Sequence, residues 1–285
     1  MISVVNNIKN TVIEFSKQNE EVRSLIETGR RLNPTLKKDE NTDYHFVFGV
    51  SDFEKFKDSH FIENLFGDVL MLEKSDKLTY TNKINPHNVS YTIVLNDISK
   101  IRIFFIKENT MQAYINEDSQ SEILVDKDQV LVGNSTKSDV CFRQLKPTKH
   151  EFESLVNQMF INSLNVAKGL YRKEEIYAIQ MFYHVRENVD KMTGYYIGSN
   201  YDFNVNIGYN YEYIKTYLPK NHYERYLQTY PLPELENLWS TLFKSCDLFR
   251  KQGLHVAELL GYEYPKRVDR DIMQKIRDIW QRSYD

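Results

Sequence analysis

Residues 28–50 read TGRRLNPTLKKDENTDYHFVFGV, running from Thr28 to Val50. The stretch opens on the end of a short apolar segment, Val22–Thr28, which suits a strand entering Gly29. Glycine at that point admits a positive φ and lets a backbone N–H approach an anion closely. Arg30 and Arg31 follow, and then Asn33-Pro34 and Lys37-Lys38-Asp39-Glu40-Asn41, a loop by composition. Asp43-Tyr44-His45-Phe46-Val47-Phe48 then alternates at period 2. Asp43, His45 and Val47 share one face of the expected strand, and Tyr44, Phe46 and Phe48 share the other. The aromatic face belongs to a core, whereas the opposite face begins with two polar groups side by side.

Upstream of this stretch, Val4, Val5, Ile8, Val12 and Phe15 repeat at helical spacing and predict an amphipathic helix over 3–18. Downstream, 52–57 and 61–66 suit short helical pieces, and DVLMLE at 68–73 reads as a buried strand from its continuous apolar run. Residues 89–96 and 100–107, joined through Asn96-Asp97-Ile98-Ser99, predict a hairpin. Arg102 lies inside KIRIFFIK among Ile101, Ile103, Phe104 and Phe105, where a charge implies a site or a solvated face. Glu122–Val125 is a further short strand. The texture changes at Leu145-Lys146-Pro147-Thr148: Thr148 with Glu151 three residues on is a capping-box helix start. Helical periods then run over 148–169, 171–190, 210–217, 221–229, 234–252, 254–260 and 269–282, interrupted by the Gly/Asn-rich, irregular segment 194–208. The expectation is an α+β or α/β chain in two parts, a mixed sheet with flanking helices over 1–146 and an all-helical domain over 147–285.

The chain has 285 residues, 41% hydrophobic and 27% charged, with a formal net charge of −3. That composition is ordinary for a globular protein. The charge argues against a general nucleic-acid binder but leaves a small phosphorylated ligand open. No apolar run approaches the ~18 residues that span a bilayer. The first residues, MISVVNNIKNTVIEF, lack a signal-peptide pattern, and two distant cysteines, Cys141 and Cys246, suit free thiols. A cytoplasmic protein with no membrane or nucleic-acid partner is expected; the sequence leaves its oligomeric state open.

Several stretches carry a resemblance. These are Gly29-Arg30-Arg31, Lys38-Asp39-Glu40, Asp43-Tyr44, Val50-Ser51-Asp52 and Lys100-Ile101 in the first part. In the second they are Lys168-Gly169-Leu170-Tyr171-Arg172-Lys173-Glu174, Gly208-Tyr209-Asn210-Tyr211, Glu236-Asn237-Leu238-Trp239, Leu248-Phe249-Arg250, Val256-Ala257-Glu258, Tyr264-Pro265 and Asp269-Arg270. In this order they make the chain resemble the aminoglycoside 6-adenylyltransferases, the streptomycin-modifying branch of the nucleotidyltransferase superfamily. The resemblance implies a nucleotidyltransferase fold, ATP and Mg²⁺ as cofactors, and transfer of AMP to a drug hydroxyl, with possible roles in antibiotic resistance. The family pattern is Gly-Ser-Arg, Asp-Tyr-Asp and a later Ile-Asp. Here it reads Gly29-Arg30-Arg31, Asp43-Tyr44-His45 and Ile101-Arg102, so one acid of three survives.

Asp43, His45 and Arg102 are therefore the catalytic positions by resemblance, and Asp43 is the one metal-ligand candidate. Mg²⁺ wants oxygen ligands, and neutral imidazole is a poor substitute. A divalent ion ~5 Å from a guanidinium is opposed by roughly 6–7 kcal/mol at an effective dielectric of ~20. His45 reads as a base, a soft-metal ligand or a drifted position. Arg102 reads as a phosphate-binding cation standing in for Mg²⁺ and bridging Asp43, or as a simple salt bridge. Gly29, Arg30, Arg31, Tyr209 and Asn210 are nucleotide-binding candidates, Tyr209 replacing a family lysine. Glu174, Glu175, Asp202 and Glu212 are candidates for a cationic aminoglycoside. The expected function is a family protein with impaired catalysis, a pseudoenzyme that binds nucleotide or an aminoglycoside-like cation. The alternatives are an active adenylyltransferase completed by Asp97 or Asp39, and a non-catalytic interaction scaffold.

Overall fold

The computed structural model describes residues 3–34, 36, 38, 39, 41–67, 69–75, 89–134 and 136–283, with side chains from residue 8 onward. Thr35, Lys37, Glu40 and Asp68 lie outside the described residues. The chain forms two compact units, Met1–Cys141 and Phe142–Asp285.

In the first unit α1 (Ser3–Gln18) leads into β1 (Val22–Thr28), and β2 (Tyr44–Val50) follows the loop. Next come α2 (His60–Phe66), β3 (Val69–Ser75), β4 (Val89–Leu95), β5 (Lys100–Lys107), α3 (Met111–Glu117) and β6 (Glu122–Asp126). They build one mixed sheet in the order β3-β4-β5-β2-β1-β6. β2 and β5 are parallel neighbours at its centre, and the other pairs are antiparallel. The alternation read in 43–48 holds. Tyr44, Phe46 and Phe48 join Ile101, Ile103, Phe105 and Tyr91 in a core that also takes Ile8 and Val12 of α1. Phe105 stacks on Phe56 at 4.5 Å and on Phe48 at 5.1 Å between centroids. Stacked and edge-on aromatic pairs of this kind add to the gain from area burial. The other face packs Ile26, Val47 and Ile106 on Met111, Tyr114 and Ile115 of α3.

Two expectations in this unit change. The apolar run at 69–72 is not a buried strand, because β3 is an edge strand, with Leu70 61% and Met71 52% exposed. An apolar run reports β propensity but cannot tell an edge from a centre. Helix α3, 7 residues long, was not foreseen.

The second unit is helical: α4 (Lys149–Tyr171), α5 (Glu175–Asn200), α6 (Ile214–Tyr217), α7 (Lys220–Leu227), α8 (Leu235–Leu260) and α9 (Lys266–Arg282). Thr148 starts α4 with a complete capping box. The Glu151 N–H donates to Thr148 Oγ1 at 3.2 Å, and the Thr148 N–H donates to Glu151 Oε2 at 2.7 Å. Phe152, Phe182, Val189, Trp239, Leu242 and Phe249 are among its buried core residues.

The segment expected to be irregular from Gly194 is helical as far as Asn200. A Cβ on Gly194 would stand 2.6 Å from the Gln144 side chain, and one on Gly198 would stand 2.5 Å from the Phe203 ring. These glycines permit close packing within a helix and do not end it. In the same way α8 runs unbroken through Gly253, where two helices were expected.

Candidate functional site

The candidate catalytic positions lie on one face of the first unit's sheet. β2 pairs with β5 so that His45 stands opposite Arg102. His45 also stands opposite Thr28 of β1, and Arg102 opposite Thr92 of β4, which in turn faces Glu73 of β3. Cross-strand partners share a face, so Thr28, His45, Arg102, Thr92 and Glu73 form a polar row across five strands. Asp43 and Lys100 begin the same face one step away, since alternate residues along a strand point the same way.

There the sequence expectation and the structure diverge. The residue that meets Asp43 is Lys100, not Arg102: Lys100 Nζ lies 2.7 Å from Asp43 Oδ2, both side chains about one-third exposed. Lys100 entered the sequence reading only as part of the Lys100-Ile101 match. Its position two residues before Arg102, hence on the same strand face, was the signal available for it.

His45 fills the middle of the face. A Cβ added to Gly29, whose φ is +84°, would stand 3.0 Å from His45 Nδ1. Only glycine adopts that backbone freely and leaves room for the ring. The imidazole pKa is lowered to about 4, by burial first and then by the Arg102 and Lys100 charges, with Asp43 opposing them. His45 is therefore neutral at pH 7. The Arg102 guanidinium is always charged, Lys100 is paired with Asp43, and Glu73 ends the same row with a carboxylate, so cations and carboxylates both lie on this face.

Arg31 departs from the face altogether. Its Nη1 donates to the Thr42 carbonyl at 2.8 Å, its guanidinium lies 4.0 Å over the Tyr44 ring, and its Nε is 3.8 Å from the buried carboxylate of Glu27. Glu27 stands opposite Phe46 in the sheet, so Arg31 serves the side opposite His45. Lys9 of α1 reaches the same carboxylate at 2.8 Å. Arg30 is exposed.

Beside Thr28 is a second polar group that sequence reasoning missed. Thr28 Oγ1 donates to Asp118 Oδ2, and the Gln120 N–H donates to Asp118 Oδ1 at 2.8 Å. Burial raises the Asp118 carboxyl pKa, against the hydrogen bonds from Thr28 and Gln120. Burial likewise pushes the Tyr114 phenol up, with Asp118 adding to it. Asp118 follows the unforeseen helix α3, and nothing in its local sequence ties it to Thr28, 90 residues away.

The acids proposed to complete a metal set are engaged in their own turns. Asp39 Oδ1 accepts from the Asn41 N–H at 3.1 Å and from the Thr42 hydroxyl at 2.9 Å, and Asp97 Oδ1 accepts from the Ser99 N–H at 3.0 Å. Among the described residues no group of three His, Cys, Asp or Glu side chains is placed to hold a metal ion. One salt-bridged carboxylate, one neutral imidazole and one guanidinium do not fit Mg²⁺, which asks for several oxygen ligands in octahedral array.

The remaining candidates belong to the helical unit. Glu174 and Glu175 stand at the start of α5, and Asp202 lies just past its end. The 26-residue helix between them spans ~39 Å, so these acids do not form one cluster. Tyr209 and Asn210 follow Gly208 in a tight turn, with Asn210 and Tyr211 both in the left-handed region at φ 54° and 63°. Glu212 is exposed beside that turn. No helix among the described residues is long and apolar enough to cross a membrane.

Comparison with known proteins gives a consistent result. The family described as streptomycin adenylyltransferase matches residues 3–279. An aminoglycoside 6-adenylyltransferase of Staphylococcus aureus is 30% identical over 276 residues, covering 96% of this chain and 98% of that protein. One from Bacillus subtilis is 29% identical over 255 residues, 89% of this chain and 90% of the relative. A crystal structure of an aminoglycoside 6-adenyltransferase from Bacillus subtilis aligns over 96% of this chain and 97% of its own, at 26% identity and a TM-score of 0.48.

Proposed function

The chain belongs to the streptomycin adenylyltransferase family, and from that premise we propose that it is a member in which metal-dependent adenylyl transfer is impaired while binding of a nucleotide or an aminoglycoside-like cation is kept. Adenylyltransferases as a class use ATP and a metal ion, which neutralises charge on the triphosphate and the leaving pyrophosphate. The observation that carries the reading is Lys100 Nζ at 2.7 Å from Asp43 Oδ2, on the face that also holds neutral His45 and Arg102. Where the family pattern concentrates carboxylates, this face sets Lys100 and Arg102 beside Asp43. A divalent ion would have to displace Lys100 and then sit near a permanent guanidinium, an arrangement opposed by several kcal/mol even at an effective dielectric of ~20.

The second reading is an active adenylyltransferase acting on streptomycin, favoured by similarity that runs over 96% of the chain to an aminoglycoside 6-adenylyltransferase. The two are separated by incubating the protein with ATP, Mg²⁺ and streptomycin and weighing the drug by mass spectrometry. The expected result is no adenylyl adduct beyond a protein-free control. Stoichiometric conversion of the drug over many turnovers establishes the second reading instead.

A further inference from the structure

We infer that Asp118 is a positioning residue: acting through Thr28, it fixes the Gly29 turn against His45 and so sets the backbone that a nucleotide phosphate meets, without touching the ligand itself. The inference rests on the reading above that nucleotide binding is kept. It adds a residue that stands outside every stretch carrying the family resemblance.

Thr28 is the last residue of β1, and its two sides are not held alike. On one side it pairs with His45 of β2, whereas on the other the ladder with β6 ends one residue earlier, at Glu27 opposite Glu122. The chain then leaves the sheet through Gly29, at φ +84° and ψ −156°, into a short turn closed by the Leu32 N–H on the Gly29 carbonyl at 2.9 Å. Glycine adopts that backbone freely and other residues do not. A strand end with one edge unpaired opens locally unless something else holds it.

Asp118 supplies the hold. Its own turn fixes it: the Gln120 N–H donates to Oδ1 at 2.8 Å, and the Ser121 hydroxyl and Asn134 Nδ2 each donate to its carbonyl at 2.9 Å. Among the described residues, the hydrogen bond from Thr28 Oγ1 to Oδ2 is the one that ties this side chain to another element, and it joins positions 90 residues apart. Tyr114, one helical turn earlier on α3, brings its buried phenol to the same Thr28 side chain. Helix α3 and the turn after it therefore hold Thr28 where β6 no longer does. The Gly29 backbone lies close enough to His45 that a Cβ would stand 3.0 Å from Nδ1, so a small shift at Thr28 moves the turn relative to the ring.

Asp118→Ala and Thr28→Val each remove the tie, whereas Asp118→Asn and Thr28→Ser keep a hydrogen-bonding partner in place. Two readouts on the full chain test it. One is calorimetric titration with ATP in Mg²⁺. The other is the rate of tryptic cleavage after Arg30, which is exposed and follows Gly29 directly, measured by mass spectrometry against cleavage elsewhere in the chain.

Asp118→Ala and Thr28→Val should each weaken ATP binding by about tenfold and speed cleavage after Arg30 by about tenfold relative to other sites. The double variant should be no worse than either single one, because both changes break the same bond. Asp118→Asn and Thr28→Ser should stay within about twofold of the parent. A residue serving only general stability would instead raise cleavage at all sites together, and circular dichroism melts report that loss. Thr28→Val, which removes one hydroxyl at nearly constant shape, carries the test if Asp118→Ala does not fold. Unchanged Arg30 cleavage or unchanged ATP affinity in a folded variant lacking the tie overturns the inference, as do losses that add in the double variant. A parent that binds no ATP defeats the kept-nucleotide reading, and cleavage after Arg30 then decides the tie alone.

Discussion

Arg31 separates a structural role from a ligand-binding one, because its neighbours predict a large effect on stability. Replacing it with alanine removes a charged hydrogen bond to the Thr42 carbonyl at 2.8 Å, a guanidinium 4.0 Å over the Tyr44 ring, and an ion-pair partner 3.8 Å from Glu27. A hydrogen bond with one charged partner contributes roughly 1.5–3 kcal/mol, and a partly desolvated cation–π contact about 0.5–2 kcal/mol. The ion pair adds little, because Lys9 still serves the Glu27 carboxylate at 2.8 Å. Contacts made by one side chain are not additive, so Arg31→Ala should destabilise the first unit by roughly 2–4 kcal/mol. Arg31→Lys should recover only part of this, since an ammonium lacks the planar fork that reaches the carbonyl and covers the ring together. Urea unfolding followed by tyrosine and tryptophan fluorescence and by circular dichroism measures the loss, with the two transitions analysed separately if the units unfold apart. A change below about 0.5 kcal/mol, accompanied by a loss of nucleotide affinity, would refute the reasoning and return Arg31 to the role of phosphate clamp.

Other outcomes follow from other sites. The Asp118 carboxyl has its pKa raised by burial. The neutral form is thus the favoured one in the fold, and the associated stability is present below pH ~4 and lost as pH rises through the folded pKa. Asp118→Asn, which can still accept from Gln120 and pair with Thr28, should be at least as stable as the parent at pH 7, with the difference shrinking toward pH 4 in urea midpoints. Thr148→Ala removes the hydroxyl half of the α4 capping box and should cost roughly 1 kcal/mol, read as a lower melting temperature of the helical unit. Asp190→Ala strips the buried Arg186 guanidinium of its carboxylate partner and leaves it stacked at 3.9 Å on Tyr230. Removing one member of a buried pair costs about 3–5 kcal/mol, so this variant should unfold at markedly lower urea than the parent.

Much of the fold was legible because it is carried by local periodicity. The 43–48 alternation, the turn at 96–99 and the Thr148/Glu151 pair each act within a few residues, and each is found where expected. What misled was chemistry with two structural uses. The apolar run at 69–72 suits a buried strand or an edge equally, and β3 is the edge. The glycines at 194 and 198 suit a loop or a crowded helix, and side chains from Gln144 and Phe203 occupy the space a Cβ would need.

At the candidate site the division is finer. Sequence alone put Asp43, His45 and Arg102 forward, by resemblance, as the counterparts of the family's acidic positions, and strand period placed Asp43 and His45 on one face. It could not determine which cation Asp43 holds. That depends on the parallel register of β2 against β5, two strands separated in sequence by α2, β3 and β4, and the register brings Lys100 to Asp43 and sets Arg102 beside His45. Nor could it tell that Arg31 turns to the opposite face, where Glu27 and Tyr44 receive it. Local chemistry names the groups; long-range pairing, through distance and burial, decides which charges meet and so what the face can bind.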